Sequence, residues 1–120
     1  MFNKIHDLKK EVYGKYLSES TPNEQLFSLI RTIRMEYIIA IVTTASKSNC
    51  IQLLEYFNVS NLFDKIISQE DVVNLKPHPE GYIKVMSEFS IEPKNTIIFE
   101  DSEIGIRAAK ASNAEVFAIK

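Results

Sequence analysis

Apolar residues recur at helical spacing over the first third of the chain and then give way to short apolar runs. Near the N-terminus they return every three or four residues, as in a helix that buries one face. This spacing predicts helices over about residues 3–18 and 23–34, and the polar stretch SESTPN separates them.

Four short runs of mainly apolar residues follow, and each has the length of a single strand. The first, within EYIIAIVTT, is wholly apolar, which suits a parallel strand that helices cover on both faces. We predict strands at residues 37–43, 65–68, 96–99 and 116–119.

Helix signals lie between these strands. Ser46 can cap a helix that ends near Asn58, because asparagine tolerates the left-handed conformation found after helix ends. Pro79 stands where the first turn of a helix accepts proline. A last helix is predicted over about residues 103–112, with Ile104, Ala108 and Ala111 on its inner face.

The alternation of strands and helices predicts a Rossmann-like α/β fold, with a parallel sheet and helices on both faces. Ligands bind such sheets outside the carboxyl ends of the strands, so the polar residues there are candidates for a site. Lys76 lies in a loop that leaves the same edge. The other candidates directly follow three predicted strands: Thr43, Thr44, Ser68, Gln69, Glu100 and Asp101.

These residue types suit a phosphate group held together with a magnesium ion. Thr44 would supply a hydroxyl donor, and the amide of Ala45 would add a donor at the start of a helix. Lys76 would neutralise a phosphoryl oxygen. Asp101, with Glu100 beside it, would hold Mg²⁺, which commonly takes one or two carboxylates plus water and substrate oxygens.

Composition narrows the possible partners. A chain of 120 residues with 45% hydrophobic residues suits one globular domain. A formal net charge of −2 gives no basic stripe for nucleic acid. The apolar runs are shorter than the roughly 20 residues of a membrane helix, so no membrane partner is expected and the chain is predicted to be cytoplasmic.

Three segments carry the candidate residues in a fixed order: IAIVTTASKSN, LKPHPEGY and IIFEDSEIGIRAAKASNA. Together they resemble the second, third and fourth motifs of the haloacid dehalogenase-like hydrolases, in the phosphatase and phosphoglucomutase branch. The resemblance covers about residues 21–119. It implies a magnesium-dependent phosphatase that acts on a small phosphorylated metabolite through an aspartyl-phosphate.

The resemblance also implies roles for single residues. Thr44 matches the phosphate-binding hydroxyl of the family, although a register one residue earlier would give that role to Thr43. Lys76 matches the phosphate-contacting lysine, so Thr44 and Lys76 are the catalytic candidates. Asp101 matches the magnesium ligand, with Glu100 as its neighbour.

The nucleophile of that family has no match in this sequence. The family's first motif is an apolar strand ending in Asp-x-Asp, whose first aspartate attacks phosphorus and whose second protonates the leaving group. Asp7 has no apolar strand before it and a lysine two places on, and Asp64, Asp71 and Asp101 do not fit the pattern either. The chain alone is therefore expected not to hydrolyse phosphate esters.

The resemblance has a structural consequence as well. It implies that residues 1–20 are a remnant of an α-helical cap and that residues 21–120 form the core. The family's first strand lies at the centre of the sheet, so we expect either a gap or a rearranged pairing there. A complementing N-terminal segment or a homo-oligomer would restore the sheet.

Three classes of function are consistent with these residues. The first is a phosphatase whose full-length form is active. The second is a non-catalytic module that binds phosphate and magnesium. The third is an interaction protein that completes its sheet with a strand from a partner.

Overall fold

The computed structural model describes the backbone of residues 5–9 and 24–119, and the side chains of residues 25–119. Within these ranges, strands and helices alternate along the chain. The strands are β1 (Ile5–Lys9), β2 (Ile38–Val42), β3 (Lys65–Ile67), β4 (Thr96–Glu100) and β5 (Glu115–Ala118). The helices are α1 (Glu24–Ile33), α2 (Lys47–Tyr56), α3 (Glu80–Glu88) and α4 (Glu103–Ala111).

The described strands form one sheet in the order β3, β2, β1, β4, β5. Every neighbouring pair is parallel. The residues that follow β2, β3 and β4 therefore lie along one edge, which we call the carboxyl edge. The predicted Rossmann-like parallel fold is confirmed.

The predicted helix over residues 3–18 is wrong at residues 5–9, which form β1 at the centre of the sheet. β1 pairs with β2 on one side and with β4 on the other, so the core has a rearranged pairing rather than a gap. Backbone donors and acceptors on both flanking strands must be satisfied, whereas a short isolated helix is marginal in water. The other residues of the predicted cap remnant, 1–4 and 10–20, lie outside the described residues.

Each face of the sheet buries its own apolar cluster. On one face, Ile39 and Ile41 of β2 and Phe99 of β4 pack with residues of α1 and α2. On the other face, Ala40 and Ile98 pack with residues of α3 and α4. Helices therefore cover both faces, as predicted.

The ends of α2 follow their sequence signals. The Ser46 hydroxyl accepts a hydrogen bond from the amide of Asn49 at 3.2 Å and so caps the helix. Asn58 follows the helix with a φ of 58°, as expected for a residue that ends a helix in the left-handed region. Cys50 lies in the core, and burial raises the pKa of its thiol to about 11, which makes it a packing residue.

The inner face of α4 agrees with the prediction at Ala108 but not at Ile104 or Ala111, which are exposed. Gly105, Ala108 and Ala109 are buried, whereas Ile104 is 47% exposed. Small residues are needed on this face because the Glu100 side chain lies against it. An ideal Cβ on Gly105 would lie only 1.9 Å from Glu100 Oε1.

The helices that the structure describes include none with the length and apolar character needed to cross a membrane.

Candidate phosphate site at the carboxyl edge

A buried ion pair joins Lys76 to Glu100. Lys76 Nζ lies 2.8 Å from Glu100 Oε2, and the side chains are 3% and 0% exposed. Lys76 Nζ also donates to the carbonyl oxygen of Val42, the last residue of β2, at 2.9 Å. Lys76 thereby connects the ends of β2 and β4 across β1.

Tyr82 of α3 completes this pair. Its hydroxyl donates to Glu100 Oε2, the same oxygen that Lys76 contacts. Its ring centroid lies 4.9 Å from Lys76 Nζ, within the range of a cation–π contact. Gly81 lets α3 come close to the sheet, since a Cβ there would lie 2.6 Å from Val42 Cγ1.

The two predicted threonines have different environments. Thr43 is 3% exposed, and its hydroxyl accepts a hydrogen bond from the amide of Ala45 at 3.0 Å. Thr44 is half-buried. The turn therefore uses the Thr43 hydroxyl and the Ala45 amide internally, which leaves Thr44 as the better placed hydroxyl. The predicted use of the Ala45 amide for phosphate would require this turn to open.

A narrow pocket at the carboxyl edge brings several candidates together. It has room for about one water molecule. The polar residues that line it are Thr43, Thr44, Asn74, Lys76, His78 and Tyr82. His78 is oriented by the backbone, because its Nδ1 accepts a hydrogen bond from the amide of Glu80 at 3.1 Å.

A second charged cluster lies beside the pocket, at the start of α2. The amide of Lys47 donates to Glu70 Oε1 at 3.0 Å, and Lys47 Nζ lies 3.2 Å from Asp71 Oδ2. The Ser68 hydroxyl lies 2.7 Å from the Glu70 carboxylate and 3.0 Å from that of Asp71. The hydrogen bond from this hydroxyl is the main cause of the lowered pKa of Glu70. The hydrogen bond from the backbone amide of Ser68 is the main cause of the lowered pKa of Asp71.

The surroundings of Glu100 and Asp101 test whether they fit a magnesium ion. Over the described part of the chain, no three His, Cys, Asp or Glu side chains lie close enough to hold a metal ion. Glu100 is fully buried and bonded to Lys76 and Tyr82, so in this arrangement it does not fit as a ligand. Asp101 directly follows it and is half-buried. One carboxylate with water and phosphate oxygens is an arrangement that Mg²⁺ accepts, so Asp101 fits.

β1 places no aspartate at the carboxyl edge. The register sets Asp7 between Ala40 of β2 and Ile98 of β4, two fully buried residues. The site begins at Thr43, three positions beyond Ala40, and at Glu100, two positions beyond Ile98, which is about 7–10 Å along the strands. The backbone position of Asp7 therefore lies in the middle of the sheet.

Sequence reasoning missed the role of Tyr82. Helical spacing predicts it only as a core residue of α3, which its 3% exposure confirms. Its hydroxyl was the available signal, because a buried tyrosine hydroxyl usually has a hydrogen-bond partner. The contact between Lys76 and Glu100 was not predicted either, although both residues were assigned to the same edge.

Comparison with known proteins identifies the family of this chain. A sequence model of the haloacid dehalogenase-like hydrolases matches residues 1–119. The chain is 27% identical over 112 residues to the phosphorylated carbohydrates phosphatase of Thermotoga maritima, covering 93% of this chain and 51% of that protein. It is 30% identical over 90 residues to the pyrophosphatase PpaX of Halalkalibacterium halodurans, covering 74% of this chain and 42% of that protein. The chain thus spans about half the length of the curated relatives it matches.

Solved structures share the fold. A HAD-superfamily hydrolase of subfamily IA from Geobacter sulfurreducens superposes with a TM-score of 0.72 at 18% identity, covering 98% of this chain and 89% of that one. CbbY from Rhodobacter sphaeroides, solved in complex with phosphate, gives a TM-score of 0.68 at 16% identity, covering 95% and 84%. With the family match over nearly all its residues, this chain belongs to the haloacid dehalogenase-like hydrolase family.

Proposed function

We propose that this chain carries the phosphate-binding part of a magnesium-dependent phosphatase that acts on a small phosphorylated metabolite. The observation that carries the proposal is the meeting of Lys76 and Thr44 in one pocket at the carboxyl edge, next to the strand that ends at Glu100. The name of the Thermotoga maritima relative, a phosphorylated carbohydrates phosphatase, supports the same class of substrate.

Lys76 is suited to hold a phosphoryl oxygen without becoming an isolated buried charge. An ammonium group has three N–H donors, and Glu100 and the Val42 carbonyl take two of them. The third donor is directed to the phosphate in our proposal. Glu100 and Tyr82 then act as positioning residues that fix the Lys76 ammonium at the pocket.

Thr44 and Asp101 complete the proposed site. Thr44 donates its hydroxyl to a second phosphoryl oxygen, while the hydrogen-bonded Thr43 holds the turn. Asp101 would hold Mg²⁺ together with water and phosphate oxygens, and Glu100 would join only where its pair with Lys76 opens. When bound, the ion offsets negative charge on the phosphoryl group.

We propose further that these residues alone do not turn over a phosphate ester. Thr44, Lys76 and Asp101 can orient and neutralise a phosphoryl group, but none supplies a carboxylate nucleophile at the end of the central strand. Turnover then requires a complementing segment with an Asp-x-Asp motif. A cytoplasmic location and a homo-oligomer remain predictions from the sequence.

The test is a phosphatase assay with an aryl phosphate and Mg²⁺. We would compare the chain alone with a fusion in which a strand ending in Asp-x-Asp replaces residues 5–9, the present central strand, and use an Asn-x-Asn fusion of the same design as the matched control. We expect turnover only from the Asp-x-Asp fusion, and its loss in the Asp101→Ala and Lys76→Met variants. Turnover by the chain alone that Asp101→Ala abolishes would contradict the missing nucleophile.

A non-catalytic phosphate-binding module is the second candidate, favoured by the mid-sheet position of Asp7. It predicts that the Asp-x-Asp fusion binds orthovanadate through Lys76 and yet gives no product. The interaction-protein reading is less well supported, because β1 already fills the position between β2 and β4.

A further inference from the structure

His78 lies in the same pocket as the proposed phosphate donors, and the proposed function does not use its chemistry. It follows Lys76 by two residues, and both side chains line the narrow pocket together with Thr44. Lys76 is almost fully buried, whereas His78 is exposed, so His78 belongs to the outer part of the lining. A ligand that reaches Lys76 from solvent therefore passes close to the imidazole.

The two ring nitrogens of His78 have different surroundings. Nδ1 accepts a hydrogen bond from the backbone amide of Glu80 at 3.1 Å. A nitrogen that accepts a hydrogen bond carries no proton, so a neutral ring in this position has its proton on Nε2. Nε2 has no hydrogen-bond partner among the residues that the structure describes. The imidazole therefore presents one N–H donor that the fold itself does not use.

Glu80 fixes the backbone that orients this ring. Its carboxylate accepts hydrogen bonds from the backbone amides of Val73 at 3.0 Å and Asn74 at 2.8 Å, and from the Asn74 side chain at 3.2 Å. The bond from Val73 is the main cause of the lowered pKa of Glu80, followed by that from the Asn74 backbone. The carboxylate thus joins the start of the loop to the first residue of α3. Lys76 and His78 lie between these two points, so both are held in a closed loop.

A phosphate group accepts more hydrogen bonds than Lys76 and Thr44 can donate. Lys76 has one N–H donor beyond its contacts with Glu100 and the Val42 carbonyl, and Thr44 has one hydroxyl. A neutral imidazole adds a donor without placing a second positive charge at the pocket that the Lys76 ammonium lines. The Nε2–H group of His78 is therefore of the chemical type that the proposed site needs.

We propose that His78 is a further ligand-binding residue of this site, whose Nε2–H donates a hydrogen bond to a phosphoryl oxygen while Nδ1 ties the loop to Glu80. This inference rests on the proposed function. A purely structural role for His78 accounts for Nδ1 but assigns nothing to Nε2, although the ring lines the pocket with Lys76. The two roles predict different results when only one of the two nitrogens is replaced.

The first measurement is long-range ¹H–¹⁵N NMR of the histidine rings on the whole chain. Sodium phosphate is titrated in, sodium chloride keeps the ionic strength constant, and the pH is one at which the spectrum shows neutral rings. We expect Nδ1 of His78 to be the unprotonated nitrogen, and its Nε2 signal to shift saturably in step with the backbone amide of Thr44. The second histidine of the chain, His6 on the central strand, is the internal reference and should not shift.

Two substitutions separate the two nitrogens. An asparagine carbonyl oxygen can accept a hydrogen bond from the amide two residues on, so His78→Asn keeps the tie to Glu80 and removes the Nε2–H donor. The longer side chain of His78→Gln keeps a donor near the position of Nε2. We expect His78→Asn to weaken the phosphate affinity read at the Thr44 amide about tenfold, as for one lost hydrogen bond to a charged acceptor, and His78→Gln to weaken it less. Lys94→Met, at an exposed position before β4, is the control and should leave the affinity unchanged.

The outcomes distinguish this inference from the proposed function. A saturable shift at Thr44 with equal affinity in His78→Asn and the wild type would overturn the binding role of His78 and leave the proposed function standing. The absence of a saturable shift at both Thr44 and His78 would overturn the two together. If His78→Asn does not fold, the Nε2 signal of the wild type decides alone, and a signal that stays unchanged while Thr44 shifts overturns the inference.

Discussion

The cationic side chains at the two ends of the sheet have different surroundings. At the carboxyl edge, Lys76 is buried against Glu100, and Lys47 contacts Asp71. At the amino end of the sheet, Arg34 lines a pocket to which the described residues contribute no acid. The first edge has an internal partner for each of these cations, whereas at the second the buried Nε–H of Arg34 has no partner in the described structure.

This difference separates two ways in which a cationic side chain can contribute to the stability of the folded chain. A buried ammonium with a buried counter-ion is part of the folded core, so its removal changes stability before it changes binding. An arginine held by one hydrogen bond to a backbone carbonyl, as Arg34 is held by Asn61, contributes less to stability. The predictions below test this contrast, from the largest expected effect to the smallest.

Lys76→Met should be strongly destabilising, because it leaves the Glu100 carboxylate buried without its counter-ion. We expect a loss of about 3–5 kcal/mol in the free energy of unfolding, measured by urea denaturation. The double variant Lys76→Met with Glu100→Gln should recover part of this loss. Lys94→Met is the control, since its bridge to Glu92 is exposed and is worth about 0–1 kcal/mol. A double variant less stable than Lys76→Met would contradict the ion-pair account.

Tyr82→Phe removes one donor from Glu100 and keeps the ring beside Lys76. The expected loss of stability is about 1–2 kcal/mol, because the charged acceptor keeps its contact with Lys76. Tyr56→Phe serves as the matched control, since Tyr56 is 71% exposed and its change should stay within about 0.5 kcal/mol. Equal effects of the two substitutions in the same denaturation assay would remove the case for Tyr82 as a positioning residue.

Lowering the pH should destabilise the folded chain by protonating the carboxylates of Glu70 and Asp71 at the carboxyl edge. Folding lowers the pKa values of Glu70 and Asp71, so both carboxylates stabilise the folded state above their ordinary pKa range. That contribution is lost as pH falls from this range through the lowered values. Thermal melting between pH 7 and pH 3 should show a declining Tm, and Ser68→Ala should flatten the decline. Arg34→Lys should leave the slope unchanged, because it replaces no carboxylate.

Arg34→Lys should have the smallest effect on stability. It removes the guanidinium hydrogen bond to the Asn61 carbonyl, which is worth about 0.5–1.5 kcal/mol. Arg107→Lys is the control and should be neutral in urea denaturation. A loss as large as that of Lys76→Met would mean that the amino end, too, is part of the core.

Periodicity predicted most of the fold because its signals are local. The apolar run at β2, the cap at Ser46 and the left-handed Asn58 each depend on neighbours along the chain. β1 was missed for the opposite reason. Its sequence IHDLK has a helical stripe, and only the two flanking strands, far along the chain, make it a strand.

From the sequence, the candidate residues could be assigned to the carboxyl edge, but the contacts between them could not be predicted. Because ligands bind outside the carboxyl ends of parallel strands, Thr44, Lys76 and Asp101 were all assigned to the carboxyl edge. It gave no means of knowing that Glu100 would turn inward to Lys76, since that depends on the space left by Gly105 and on the hydroxyl of Tyr82.

Because Gly105 lies so close to Glu100, the substitutions that evolution can accept at one of these positions depend on the residue at the other. A methyl group at residue 105 would overlap the Glu100 carboxylate, so alanine there can be accepted only after the acid shortens or moves. Replacing Glu100 by Asp first would open that path, whereas the reverse order passes through a destabilised intermediate. The order in which substitutions arise is therefore constrained, and a library randomised at both positions should recover alanine at 105 together with shortened side chains at 100.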